Sequence, residues 1–220
     1  MKRKFLILWA SILGICILAG IFTRLSYTNI TVSRINEVNE FTCINAFFKA
    51  EDVDFNSVEN LLDISDLVAK VIRTGESRHQ AMTILSDVKI MDVIKGDVQL
   101  QGKTIHVYEP SYFLFKPSLY YVTMGYNLMQ EGDVYILFLQ KKEASNQSGI
   151  DELEQNSYVI TTNSALGKFK VDNHNQNTIL DENTSYTYGQ VRHLEVLVSN
   201  KKELEFYLDV KNQVFNRINQ

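Results

Sequence analysis

The sequence has few histidines, which are common in catalytic and metal-binding sites. Its four histidines, at positions 79, 106, 174 and 193, show no H-E-x-x-H or comparable ligand spacing. It also lacks a G-x-S-x-G stretch, with which many hydrolases present a serine nucleophile. We therefore predict that the protein is not an enzyme and that it has no catalytic, cofactor-binding or metal-binding residues.

Cysteine is equally scarce. Of the two cysteines, Cys16 lies inside a long apolar run and Cys43 lies beyond it, so they cannot pair if that run crosses a membrane. An exported domain with one thiol and no internal disulfide is unusual for a secreted eukaryotic protein and more natural for a Gram-positive surface protein. A buried structural thiol is favoured over a nucleophile as the role of Cys43.

Beyond the first residues, acidic side chains outnumber basic ones. The chain has a net charge of −4, and since Lys2, Arg3 and Lys4 supply three positive charges, the remainder carries −7. Proteins that bind nucleic acid need clustered lysine and arginine to displace counterions from the phosphates. We therefore expect no nucleic-acid partner.

The stretch IKGDVQLQGKTIHVYEP contains, at residues 102–104, the Gly-Lys-Thr that ends a phosphate-binding loop. Such a loop also needs a glycine where Asp97 stands, and a helix after the threonine. Residues 104–108 instead alternate and are β-branched, which predicts a strand. We predict a hairpin that uses Gly96 and Gly102 for its unusual backbone angles, and no nucleotide binding.

The longest apolar run, FLILWASILGICILAGIF at residues 5–22, carries no charge. As a helix it would be about 27 Å long, close to the thickness of the hydrocarbon core of a bilayer. The cations before it predict a cytoplasmic N-terminus and an extracellular remainder. A cleaved signal peptide is the alternative, although no clean A-x-A cleavage site follows the run.

Beyond this run, the residue pattern indicates a mainly β fold with flanking helices. Alternating stretches predict strands at residues 66–75, 82–96, 103–109, 133–141, 158–162 and 167–171. Residues 192–199 fit a strand or a short helix. Apolar residues at 35, 38, 41, 44 and 48 have near-helical spacing, which suggests a helix in the linker before the domain.

Two capping boxes mark helix starts. Asn56 with Glu59 predicts a short helix, and Asn200 with Glu203 predicts an amphipathic C-terminal helix from 201 to about 218. The chain then divides into a cytoplasmic tip with a transmembrane anchor at 1–25, a linker at 26–56, a β-barrel domain at 57–198 and a C-terminal helix at 199–220.

Four motifs within the predicted strands carry a resemblance to a known family. They are Asp66 near the start of the first strand, Lys95-Gly96 at the end of the second, Gly-Lys-Thr-Ile at 102–105 and Gly-x-x-Tyr-x-Leu-Phe-Leu at 132–139. Residues 57–171, about half of the chain, thereby resemble bacterial extracytoplasmic netrin-like domains, which are related in fold to the tissue inhibitors of metalloproteinases. The resemblance implies a five-stranded OB-like barrel. It does not imply protease inhibition, because the animal inhibitors use a free N-terminal cysteine and Cys43 is internal.

Residues 110–132, PSYFLFKPSLYYVTMGYNLMQEG, are too apolar and aromatic for an idle loop. They form either a lid or plug over the barrel or a recognition surface, since tyrosine supplies large contact area at low entropic cost. Phe113 and Phe115 are expected nearer the core, and Tyr120, Tyr121 and Tyr126 nearer the surface. The predicted protein-binding residues are Tyr112, Tyr120, Tyr121 and Tyr126.

Together these features predict a membrane-anchored extracellular binding or accessory module of a Gram-positive envelope. Its partner would be an envelope protein or peptide. A passive structural subunit of a membrane complex is the alternative. A further alternative is an envelope enzyme whose site is assembled from scattered residues such as Asp66, His106 and Tyr126.

Overall fold

The computed structural model describes residues 2–26, 29–30, 37–44, 47–80, 82–142, 156–171 and 177–218. Its helices include α1 (Lys2–Ser26), α2 (Val58–Asp63), α3 (Tyr188–Val191) and α4 (Lys201–Ile218). Its strands include β1 (Asn29–Ile30), β2 (Thr42–Ile44), β3 (Leu67–Gln80), β4 (Thr83–Lys95), β5 (Thr104–Glu109), β6 (Tyr112–Phe115), β7 (Ser118–Tyr121), β8 (Val134–Lys141), β9 (Ser157–Ile160) and β10 (Lys168–Lys170).

Five of these strands close into a barrel. Strand β3 pairs with β4, β4 with β5, β5 with β9, β9 with β8, and β8 returns to β3. The β5–β9 pair is parallel and the other four are antiparallel. The mainly β class and the closed barrel are therefore confirmed, and the barrel is consistent with the predicted OB-like form.

The long strand β3 shows why the barrel has two apolar faces. Leu67, Ala69 and Val71 belong to the cluster that fills the barrel, whereas Val68 belongs to a second cluster beneath α4. Alternate side chains of a strand point to opposite faces, so one strand supplies both clusters. The predicted amphipathic C-terminal helix is confirmed as α4, and its apolar face covers the second cluster.

The aromatic stretch after β5 folds as the β6–β7 hairpin, to which β2 adds in parallel. The prediction of a helix through the linker is therefore wrong for residues 42–44, which are a strand; residue 35 lies outside the described part. Phe41 explains the apolar spacing there, because its ring packs edge-on against Phe113 and Phe115 at 5.8 and 5.3 Å. Cys43 continues the strand, its N–H donating to the Tyr186 carbonyl at 2.8 Å.

The hairpin between β4 and β5 is formed as predicted. Gly96 and Gly102 have φ angles of 113° and 79°, in the region that favours glycine. A Cβ on Gly96 would also lie 2.9 Å from the Asp66 carbonyl oxygen. A strand, β5, follows the Gly-Lys-Thr sequence where a phosphate loop would need a helix.

The helix starts are partly as predicted. Asn200 caps α4, accepting a hydrogen bond from the Glu203 N–H at 3.0 Å. The cap of α2 is Ser57, whose Oγ accepts from the Asn60 N–H at 3.1 Å, so the predicted Asn56 capping box is wrong by one residue. Serine and asparagine cap equally well, and the hydroxyl is the group that reaches the free N–H.

Residues 192–198 form neither the strand nor the short helix that their sequence fits. Helix α3 ends at Val191, and the chain then makes single bridges, Tyr126 with Val196 and Ile179 with Val198. Of the predicted closing strands, β9 lies in the barrel, while β10 pairs with β8.

Helix α1 takes up the N-terminal apolar run. Several of its described apolar side chains are exposed, among them Trp9 and Phe22. Within the described part of the chain, no helix meets both the length and the apolarity required to cross a membrane. The transmembrane helix thus stays a prediction from the sequence.

Candidate binding groove

A groove of about 500 Å³ opens beside the end of the barrel, next to the β6–β7 hairpin. Its volume falls in the range of about 300 to 1,000 Å³ that is typical of ligand sites. Its lining residues are Met82, Thr83, Tyr108, Pro110, Tyr112, Tyr121, Thr123, Lys142, Val159 and Asn163. The barrel and the β6–β7 hairpin together therefore present three tyrosines and one lysine to a single concave surface.

Strand pairing brings the tyrosines together. Tyr112 and Tyr121 are directly opposite across β6 and β7, and their rings stack with centroids 5.0 Å apart and planes 15° from parallel. Tyr108 lies on β5, where its neighbour across the parallel pair is Val159 of β9. Because β6 follows β5 after a short connection, all three rings meet at the same end of the barrel.

Lys142 supplies the charge at this site. Its ammonium lies 4.4 Å from the centre of the Tyr108 ring and donates a hydrogen bond to that tyrosine's hydroxyl at 3.3 Å. The ammonium and the ring form a cation–π pair at the groove wall. Within the described part of the chain, no carboxylate pairs with this ammonium.

The groove contains two of the predicted protein-binding residues. Tyr112 and Tyr121 line it, with Tyr112 nearly buried as part of its floor and Tyr121 half-buried. Tyr120 and Tyr126 are fully buried, so the expectation that they lie near the surface is wrong. Phe113, by contrast, is in the core as expected, and Phe115 is half-buried against it.

Hydrogen bonding explains why Tyr120 and Tyr126 are tolerated inside. The Tyr120 hydroxyl donates to Asn127 Oδ1 at 3.0 Å and accepts from the Leu128 N–H at 3.1 Å. The Tyr126 hydroxyl donates to Glu109 Oε2 at 2.9 Å. A buried tyrosine needs such partners for its hydroxyl. In β7, alternation places Tyr120 inward and its neighbour Tyr121 in the groove.

The sequence predictions missed Tyr108 and Lys142 as site residues. Alternation along β5 marks Tyr108 as facing outward, opposite to the buried Val107 and Glu109. Its meeting with Lys142 depends on the β5–β9 and β8–β9 pairings, which join distant parts of the chain. No local motif signals such a contact.

Beneath the groove lies a buried carboxylate. Glu109 accepts hydrogen bonds from the Ser86 hydroxyl, from the Tyr126 hydroxyl and, at 2.8 Å, from the Met129 N–H. Its backbone carbonyl accepts from the Thr83 hydroxyl, which lines the groove, at 2.6 Å. Burial raises the pKa of the Glu109 carboxyl, and the hydrogen bonds from Ser86 and Met129 act against that rise.

A buried lysine accompanies this carboxylate. Lys168 is 1% exposed, and its ammonium donates to the Asn127 carbonyl at 2.5 Å. The ammonium also lies 4.6 Å from the Tyr126 ring centre and 5.2 Å from that of Tyr135. Burial lowers the pKa of Lys168 to about 8, although the nearby Glu109 charge opposes the shift. The network around Glu109 and Lys168 joins the floor of the groove to the core of the protein. It is closed to solvent, which suits a structural role.

A second ionic cluster lies across β3, β4 and β5. Asp87 Oδ1 accepts from Arg78 Nη2 at 2.6 Å and from His106 Nδ1 at 2.7 Å. His106 and Asp87 are cross-strand partners on β5 and β4. Among the described residues, no three His, Cys, Asp or Glu side chains are grouped as a metal site requires.

The residues of the enzyme alternative are engaged separately. Asp66 accepts from the Lys141 N–H at 2.8 Å, His106 pairs with Asp87, and Tyr126 is buried against Glu109. In the described part of the chain, no hydrogen bond or ion pair joins any two of these three residues.

Comparisons of the sequence with protein-family models and with curated proteins give no match. The class of the protein is thus described by its structure alone. It is a mainly β protein with a closed five-stranded barrel and a tyrosine-lined groove at one end of that barrel. The netrin-like resemblance stays a prediction.

Proposed function

We propose that the protein is an extracellular binding module, held at the membrane of a Gram-positive bacterium by α1, and that a protein partner docks in the tyrosine groove. The observation that carries the proposal is the convergence of Tyr108, Tyr112, Tyr121 and Lys142 on one open concave surface. Tyrosine and methionine are enriched at protein interfaces, because they offer broad contact area and, in tyrosine, a polar tip.

The position of the groove on the barrel supports this proposal. Proteins with an OB-type barrel bind ligands on the face of the second and third strands, beside the connections that follow the first and the fourth. In this chain those strands are β4 and β5. Met82 and Thr83 stand at the first connection, Lys142 follows β8 at the second, and all three line the groove. The argument is by analogy of fold.

The membrane location rests on the sequence. Residues 5–22 are uncharged and follow three cations, the arrangement expected of an anchor with a cytoplasmic N-terminus. The acidic remainder would then face the outside. An anchor of this kind confines the groove to partners at the cell surface.

Crosslinking in intact cells followed by a pull-down of the full-length protein tests the proposal. We expect Tyr108→Ala and Tyr121→Ala to lower recovery of a specific crosslinked partner roughly tenfold, because aromatic contacts carry much of the energy of an interface. The matched control is Val98→Ala, which truncates a side chain that is 70% exposed and lies outside the groove.

Thermal unfolding of each variant separates binding from folding. Equal recovery of every partner by wild type and both tyrosine variants, with all proteins folded, would refute the groove as a docking site. It would favour the alternative of a passive structural subunit.

A further inference from the structure

The groove has a charge opposite to that of the chain around it. Among the described residues that line it, Lys142 is the one that carries a charge, and no acidic side chain is present. The chain as a whole has a net charge of −4. A cation on a low-dielectric aromatic wall, in an otherwise acidic protein, favours an anionic group on the ligand.

The remaining surface of the groove is mainly aromatic and apolar. Tyr108, Tyr112 and Tyr121 provide aromatic surface, and Met82, 68% exposed, adds a flexible apolar edge. Proline-containing segments dock on aromatic grooves of this type, since their polyproline II conformation is formed before binding and little entropy is lost.

The groove also offers a polar side chain that could hydrogen-bond to a peptide backbone. Asn163 lines the groove at an exposed position. An amide side chain both donates and accepts, as a peptide backbone does. The two lining threonines, by contrast, already donate to backbone carbonyls, Thr83 to Glu109 and Thr123 to Pro110.

We infer that the groove binds an extended, proline-containing peptide segment of the partner, with an acidic side chain placed against Lys142. The inference rests on the proposed function and adds the chemistry of the partner to it. The proline ring packs on the tyrosine rings, and the carboxylate forms a charge-assisted hydrogen bond with the lysine ammonium.

Selection from a phage-displayed library of random peptides, with the full-length protein immobilised in detergent micelles, tests the inference. We expect enriched peptides to carry proline next to aspartate or glutamate. Lys142→Glu should weaken these peptides about tenfold or more, and selection on that variant should enrich lysine or arginine in place of the acid.

Lys141→Glu is the matched control, because it makes the same charge change one residue away at an exposed position outside the groove. It should leave affinity for the enriched peptides unchanged. Lys142→Met serves as a second variant that removes the charge without reversing it, and thermal melts confirm that each variant folds.

Three outcomes would overturn the inference: enriched peptides without acidic residues, binding that is indifferent to Lys142→Glu, or binding of soluble N-acetylglucosamine oligosaccharides in place of peptides. None of these outcomes changes the crosslinking experiment, which tests whether the groove is a docking site at all. A partner whose recovery depends on Tyr108 and Tyr121 would still support the groove as the docking site, so the two proposals fail separately.

Discussion

At the residue scale, the charges inside the barrel need an account, because moving a charge from water into the interior costs several kcal/mol. Glu109 offsets this cost with three donors, and Lys168 with a carbonyl and two aromatic rings. Each charge also lies near the other, which stabilises both ionised forms. The pair remains sensitive to pH, because burial favours the neutral form of each group: it raises the pKa of Glu109 and lowers the pKa of Lys168.

Lys168→Met should expose this sensitivity. The pKa of Lys168 lies near 8 in the folded protein, below its usual value of 10.5, so the unfolded chain binds the proton more tightly. Stability linked to this lysine therefore rises with pH through that window. We expect the free energy of unfolding of wild type, relative to Lys168→Met, to increase by about 2 kcal/mol between about pH 7 and pH 9.5.

Urea unfolding at several pH values measures this difference. Lys89→Met, which removes a positive charge from an exposed position, is the control, and its difference from wild type should not follow the same rise. A wild-type minus Lys168→Met difference that stays constant with pH would show that the buried lysine does not titrate in this window.

The burial of Glu109 could be predicted from the sequence, whereas the burial of Lys168 could not. The alternation of β5 places Glu109 on the same face as Ile105 and Val107, so its burial follows from the sequence. Lys168 gives no such signal, because Lys170 has the same position in the alternation two residues later. What separates these two lysines is packing against distant elements, and no local pattern carries that information.

At the scale of elements, α4 is fixed to the rest of the fold through its first turn. The Glu203 side chain accepts a hydrogen bond from the Ala50 N–H at 2.7 Å, a contact between residues 153 positions apart. Further along the helix, Tyr207 donates to Glu195, which also pairs with Lys211 at 2.6 Å. The helix is thus held by polar contacts at its edge as well as by the apolar cluster beneath it.

Glu203→Ala should cost about 2 kcal/mol of unfolding free energy, because it leaves a backbone N–H without its charged acceptor. Glu205→Ala is the matched control in the same turn. Glu205 is exposed and pairs with Lys201 at 3.2 Å, a surface ion pair worth about 0.5 kcal/mol or less. Chemical denaturation of both variants measures the contrast, and similar costs would argue against the tie to Ala50.

The barrel strands were predictable because each alternates over several residues, and α4 because its cap and apolar face are both local. Strand β2 was not. Its three residues sit in a stretch with helix-like spacing, and they become a strand through parallel pairing with β7, about 75 residues later. Of the predicted binding residues, Tyr112 and Tyr121 line the groove, and the aromatic composition of their stretch was the signal that singled them out. Separating them from Tyr120 and Tyr126 required the pairing of β6 with β7.

At the scale of the whole molecule, two apolar clusters lie on either side of the barrel wall. One fills the barrel and extends to the small sheet, and the other lies under α4. Strands β3 and β8 contribute to both. Strands β5, β6, β7 and β9, which line the groove, contribute buried apolar residues to the cluster that fills the barrel.

The predicted anchor is testable on the intact protein. If residues 5–22 cross the membrane, the full-length chain should remain in the membrane fraction through a carbonate wash, and protease added to protoplasts should digest the body. Immunoblotting with antibodies against the barrel measures both results. A mature form in the medium that begins near residue 20 would show instead that the run is a cleaved signal peptide.

The closure of the barrel also orders the events of folding. Strand β3 meets β8 through partners such as Leu67 and Leu139, 72 positions apart, and closing so long a loop costs entropy before any contact rewards it. The local β3–β4 hairpin can form much earlier. We therefore expect the desolvation of Glu109 and Lys168 to accompany this late closure, because Lys168 lies on β10, which pairs with β8. The free-energy cost of burying these charges then adds to the folding barrier as well as to the energy of the native state. Folding from denaturant should for this reason be slowest when one of the two residues is charged and the other is neutral.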